Sequence, residues 1–312
     1  MKHYLWKMVL VVCLVWAGTL VPAAAAEGDN LPVESWVGHS FVFQPQPQAL
    51  QSAGYEIFKL EQAQAGFDGD RSVRLPYAIY VGHQVTVTET IGFSAGNEQR
   101  DYMVYMTVQD TGEKLVGRTR RGQLAGLVLA ADLENARHHF VGMIIYPKVR
   151  ALTKFYVPGE TKIMEAVPIR IASPVTVTDV YIGEQVETPI WLVVTAGEQK
   201  AILPIAYSWT NMPPNFWQST APWQDELFQQ DPRVELGDDP VVWNKIQNGI
   251  VEPGMTKAQV KLSWGSPVRG TDADDTWLYG TYKLTFAKGL LSVMEKVAET
   301  PATYKFRTAG PK

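Results

Sequence analysis

Thr256 and Gln259 stand three residues apart directly after Pro253-Gly254, and no other stretch of the chain constrains local structure as firmly. At that spacing the Thr hydroxyl accepts from the amide of Gln259, and the Gln side chain reaches back to the amide of Thr256. The pair therefore predicts a helix starting there. Gly265 and Pro267 end it after little more than two turns, since Gly permits a left-handed end and Pro cannot continue the helix. After an acidic loop come three strand-like runs: Thr276–Tyr279, Tyr282–Phe286 and, beyond the turn residue Gly289, Leu290–Met294. Val241–Asn248, bracketed by Pro240 and Gly249, reads as a preceding helix. Residues 241–297 thus read as a small α-α-β-β-β module.

The same residues resemble the SmpA/OmlA family of small bacterial outer-membrane lipoproteins, also called BamE-like. The resemblance rests on Gly254-Met255-Thr256 with Val260, Gly265-Ser266-Pro267, Trp277-Leu278-Tyr279, and the hairpin from Leu284 to Leu291. It implies a module used for protein contacts in the bacterial envelope, and it does not imply an enzyme.

The start of the chain is of another kind. Met1–Lys7 is short and basic, Met8–Val21 is apolar, and Ala23–Ala26 supplies small residues. Residues 1–26 therefore read as a secretory signal peptide cut near Ala25 or Ala26. The apolar run is too short to span a bilayer, which takes about 20 residues, so a protein that does not span the membrane is expected. Cys13, the only cysteine, lies inside this segment. Val12 stands before it where lipidation wants a small residue, which argues against a lipid anchor. The mature chain then has no thiol, hence no disulfide or cysteine–metal site. With 32 acidic residues against 28 basic ones, two of the latter in the signal, nothing electrostatic favours nucleic acid.

Residues 31–210 read as β. Ile79–Thr90 and Tyr102–Val108 alternate apolar and polar residues, and Pro168–Val180 and Ile190–Tyr207 are rich in β-branched and aromatic side chains, with Gly197 as a hairpin turn. The best helical signal is Ala130–Phe140, where Asp132 is a candidate cap and Leu133, Ala136 and Phe140 share a face. Four pairs, Val37-Gly38, Val81-Gly82, Val141-Gly142 and Ile182-Gly183, are spaced 44, 60 and 41 residues apart. The first and third, and the second and fourth, are offset by about one hundred, which suggests a duplicated unit. The sequence V-T-V-T occurs at Val85–Thr88 and at Val175–Thr178 with a different offset, which counts against a clean duplication. A Val-Gly opening an alternating run resembles the first strand of bacterial SH3-like barrels. The expected fold is α+β and mostly β: two SH3-like β-barrel units, residues 31–139 and 140–210, then the BamE-like module. Residues 211–240 read as a Trp- and Pro-rich linker and 298–312 as a polar tail.

Candidate chemistry is sparse. Gly92-Phe93-Ser94-Ala95-Gly96 fits G-x-S-x-G, but the elbow needs a helix after the serine, and an alternating strand follows. A periplasmic serine hydrolase using Ser94 with His138 or His139 is the alternative reading. Adjacent His138 and His139 point about 100° apart on a helix and cannot share a metal; His39 and His83 each follow a Val-Gly pair, which suggests a common turn. Asp272-Ala273-Asp274-Asp275 lacks the glycine and distal glutamate of a calcium loop. Arg118–Arg121 reads as a solvated basic turn. No cofactor motif is present. Trp209, Trp217 and Trp223 are the candidate partner-binding residues: exposed, they would stack on a sugar or on an apolar partner; buried, they would staple the linker to a barrel. The chain is expected to be a non-catalytic, periplasmic or secreted envelope protein that binds a protein or peptidoglycan through its modules.

Overall fold

The computed structural model describes residues 31–94, 100–120, 124–160, 164–207 and 222–297. The signal segment with Cys13, the Arg121 end of the basic run, Trp209 and Trp217, and the tail lie outside them. The fold is mostly β and is built of antiparallel sheets that include a half-barrel. The first sheet comprises β1 (Ser40–Phe43), β2 (Ile57–Lys59), β3 (Gln84–Ser94), β4 (Arg100–Val108), β5 (Lys114–Arg120) and β6 (Leu127–Leu129), in the order β2-β5-β4-β3-β1-β6. The second comprises β7 (Ile144–Pro147), β8 (Ala151–Lys154), β9 (Ala166–Pro168), β10 (Val175–Ile182), β11 (Ile190–Ala196), β12 (Gln199–Ile205) and β13 (Leu227–Phe228), in the order β13-β7-β10-β11-β12-β8-β9. Read from the other end and without β9, the second order reproduces the first, strand for strand.

The duplication is visible down to single hydrogen bonds. Trp36, Tyr80 and Phe140 each precede a Val-Gly pair, and each accepts at its carbonyl from the residue three ahead: His39 at 2.9 Å, His83 at 3.0 Å and Met143 at 2.9 Å. The glycines have φ of 86°, 81° and 87°. These are type II turns, which need a left-handed third residue and so select glycine. The turns then interlock in pairs. Gly38 donates to Val87 and Val87 back to His39; Gly82 donates to Phe43 and Phe43 back to His83. His39 and His83 therefore do share a turn geometry, as their sequence context suggests.

The fourth copy is not Ile182-Gly183, which ends β10 and packs its glycine so closely on Trp191 that a Cβ would lie 1.9 Å from Nε1. It is Ile171-Ala172-Ser173. Ser173 donates to Arg170 at 3.0 Å, Ala172 donates to Pro147 at 2.8 Å, and Ala172 sits at φ 55°. Proline 147 has no amide to return the bond, so this quarter of the pattern is one hydrogen bond short. With the turns matched this way, V-T-V-T falls into place. β3 carries its register irregularity between Val87 and Glu89, and β10 between Val177 and Asp179. Thr88 and Thr178, the two extra residues, each donate to a carbonyl of the next strand at 3.2 Å. The offsets disagree only because the first unit holds 14 more residues between its two turns than the second.

Three cores follow. One lies on the first sheet around Trp36, Phe41, Phe43, Tyr55 and Val104, all essentially buried. Another lies on the second sheet, and the Ala130–Phe140 helix supplies it with Ala136 and Phe140. That helix lies against both β1 and β10. Its cap is Leu129 rather than Asp132, which is buried in the first turn. The third core holds the module: helices Pro240–Gln247 and Lys257–Trp264, then β14 (Thr276–Tyr279), β15 (Tyr282–Ala287) and β16 (Leu290–Lys296). Both halves of the capping box form, Gln259 N to Thr256 Oγ1 at 3.2 Å and Thr256 N to Gln259 Oε1 at 2.9 Å, and Gly265 ends the helix at φ 80°.

The stretch read as a linker is partly structural. β13 pairs with β7, Leu227 opposite Pro147, and completes the second sheet as β6 completes the first.

Candidate functional site

Ser94 ends β3 and lies opposite Arg100 of β4. A nucleophile elbow needs a strand, a tight turn and a helix to aim amides at an oxyanion; here the strand returns as a hairpin partner. His138 and His139 lie in the last turn of the Ala130–Phe140 helix, where His139 packs edge-on to Phe140 with ring centroids 4.5 Å apart. The acidic loop is engaged locally. Asp274 accepts from the Thr271 amide and hydroxyl at 2.7 and 2.8 Å, which holds its carboxyl below the usual range, and Asp272 pairs with Lys261 at 2.6 Å. Arg118 is no solvated turn: it lies in β5 and donates through Nε and Nη2 to buried Asp101 at 2.9 and 2.5 Å.

Of the three tryptophans, Trp223 is within the described residues, and it is 2% exposed. It packs edge-on to Phe140, with centroids 5.3 Å apart, inside the core of the second sheet. Trp223 is therefore a staple and not a binding residue, because its apolar area is already spent on the core.

A groove of about 820 Å³ lies where the second unit meets the C-terminal module. Its position follows from the fourth turn. Ile171 at the tip of that turn is buried in the module's core with Trp243, Val260 and Trp277, whereas Val37 and Val141 of the sister turns are about half exposed. Arg150 in the β7–β8 turn secures the junction: one Nη2 donates to the carbonyls of Ile246 and Ser263 at 2.7 and 3.0 Å. Those carbonyls lie in the last turns of the two module helices, so a single cation meets the negative ends of both dipoles.

The groove floor is apolar, formed by Phe228, Leu236, Leu262 and Trp264. Trp264 is set by Nε1 donating to Gly249 at 2.8 Å and by Tyr279 and Tyr282, whose rings lie 5.5 and 5.4 Å away. Lys148, Arg150 and Lys261 line it against one carboxylate, Glu235. Lys148 sits 4.2 Å over the Phe228 ring. Tyr279 donates to Gly265, one of the lining residues, at 2.7 Å; burial, with Asp272 nearby, pushes its pKa up to about 12. Sequence reading missed this site because its parts are up to 118 residues apart, from Lys148 to Ser266.

No helix among the described residues is long and apolar enough to cross a membrane. Comparison with protein-family models, with curated proteins and with solved structures finds no match to this chain.

Proposed function

We propose that the protein is a non-catalytic component of the bacterial cell envelope that binds another envelope protein in the groove between its second β unit and its C-terminal module. On this reading the two β units are SH3-like, the module is BamE-like, and the chain is periplasmic or secreted after cleavage near Ala25 or Ala26. The observation that carries the proposal is the groove itself: an apolar floor with a fixed tryptophan, lined by Lys148, Arg150 and Lys261, the last paired with Asp272 outside the lining, and by Glu235. Interfaces draw their energy from such desolvated aromatic centres with a polar rim. The complementary partner is an apolar segment flanked by acidic residues. The hairpin at Ser94 supports recognition over hydrolysis.

A photo-crosslinking residue placed at Ala258 or Ser266 in intact cells tests this. We expect one adduct with an envelope protein from both groove positions, lost with Trp264→Ala, and none from Gln199 at the start of β12, which is outside the groove lining. Equal adducts at all three positions would overturn the assignment, and co-sedimentation of the pure protein with purified sacculi, unchanged by Trp264→Ala, would move it to peptidoglycan.

A further inference from the structure

In the first unit the segment from Glu56 to Arg74, together with Arg118 of β5, lines a cavity of about 520 Å³ beside β2. We infer that this cavity is a second binding site, separate from the groove, for a carboxylate joined to an apolar group, such as a small organic acid or the C-terminal residue of a peptide.

Three guanidinium groups line it, those of Arg71, Arg74 and Arg118. Each presents five N–H donors in a rigid plane. Arg118 is oriented from behind by buried Asp101 and lies 5.3 Å from the Phe93 ring centroid. Arg74 gives one Nη2 bond to Glu56 at 2.8 Å. Arg71 makes no ion pair among the described residues. The two carboxylates on the cavity wall are already engaged, Glu56 with Arg74, and Asp70 with the amide and hydroxyl of Ser72 at 2.8 and 2.6 Å. Donors therefore outnumber acceptors. A guanidinium fork matches a carboxylate through two parallel bonds, a fit that lysines would not give.

The other wall is aromatic. Phe58 and Phe67 meet edge to face with centroids 5.1 Å apart. Gly66 makes this possible, because a Cβ there would sit 2.3 Å from the Phe58 ring. The short Ala63–Phe67 helix can thus lie on the Phe58 ring and raise Phe67 as a wall. The volume is in the usual range for small-molecule sites, roughly 300–1,000 Å³. Between β8 and β9 the second unit has no arginine and, among the described residues, no helix.

Titration calorimetry on the purified protein tests the site with phenylacetate and N-acetyl-alanyl-phenylalanine, each against its amide, and with inorganic phosphate. At least one acid should saturate the protein, its amide should bind about tenfold more weakly or worse, as expected for a lost charged hydrogen bond, and phosphate should not match it. Binding by phenylacetate alone identifies a free acid as the ligand; binding by both acids admits a peptide end. Arg71→Gln should weaken the acid by about tenfold with no change in melting temperature, because Arg71 is exposed, and Phe67→Ala should weaken it as well. The inference fails if neither acid binds, if amide or phosphate binds as well as the acid, or if Arg71→Gln leaves affinity unchanged.

Discussion

Position 172 asks an alanine to do what glycine does at 38, 82 and 142. Its φ of 55° is left-handed, where a Cβ costs roughly 1–2 kcal/mol. Nothing lies within 4 Å of a Cβ built at Gly82, so Gly82→Ala should show that strain nearly alone, as a loss of about 1 kcal/mol in urea unfolding. Ala172→Gly should go the other way and stabilise by up to about 1 kcal/mol, less the contact its methyl makes with the module's core. If both substitutions destabilise equally, strain is not what separates the two positions. The neighbouring Ile171 explains why alanine is tolerated: the fourth turn is an anchor, and its apolar contacts offset a poor backbone.

At the scale of elements, the junction depends on one guanidinium meeting two helix ends. Arg150→Ala should cost about 1–2 kcal/mol. It should speed amide exchange in helices Pro240–Gln247 and Lys257–Trp264 while leaving β10–β12 unchanged; uniform acceleration would mean that Arg150 supports the whole protein. Elements were also where the sequence was most legible. The capping box, both module helices, all three module strands and the Ala130–Phe140 helix were readable, because each is specified by neighbours within a few residues. The paired turns were half readable: Val-Gly marks three copies, but the fourth replaces glycine with alanine and cannot be found by searching for glycine. Arg150, Trp264 and the arginine cavity left no sequence signal, since they come together only through long-range packing.

Taken whole, the molecule is two copies of one sheet plan joined by a helix, followed by the C-terminal module. Ala130–Phe140 follows the last strand of the first sheet yet fills the core of the second, and Gln44 donates from the first unit to Gly183 and Gln185 of the second at 2.9 and 2.7 Å. The units should therefore unfold together. Phe140→Ala, at a fully buried position, should cost about 3–5 kcal/mol, and fluorescence and amide probes in both sheets should shift to the same new midpoint. Separate midpoints would show that the shared helix does not couple them.

The strand order also sets a schedule for folding. Leu129 must return to Phe41, 88 residues earlier, and Leu227 to Pro147, 80 residues earlier. In each sheet the border strand that closes one edge is the last of its unit to emerge as the chain is delivered from its N-terminus. Until it arrives, β1 or β7 presents an open edge to any other strand nearby. A chain of this design spends its early life needing protection from its own copies, and the closing strand of each unit ends that exposure.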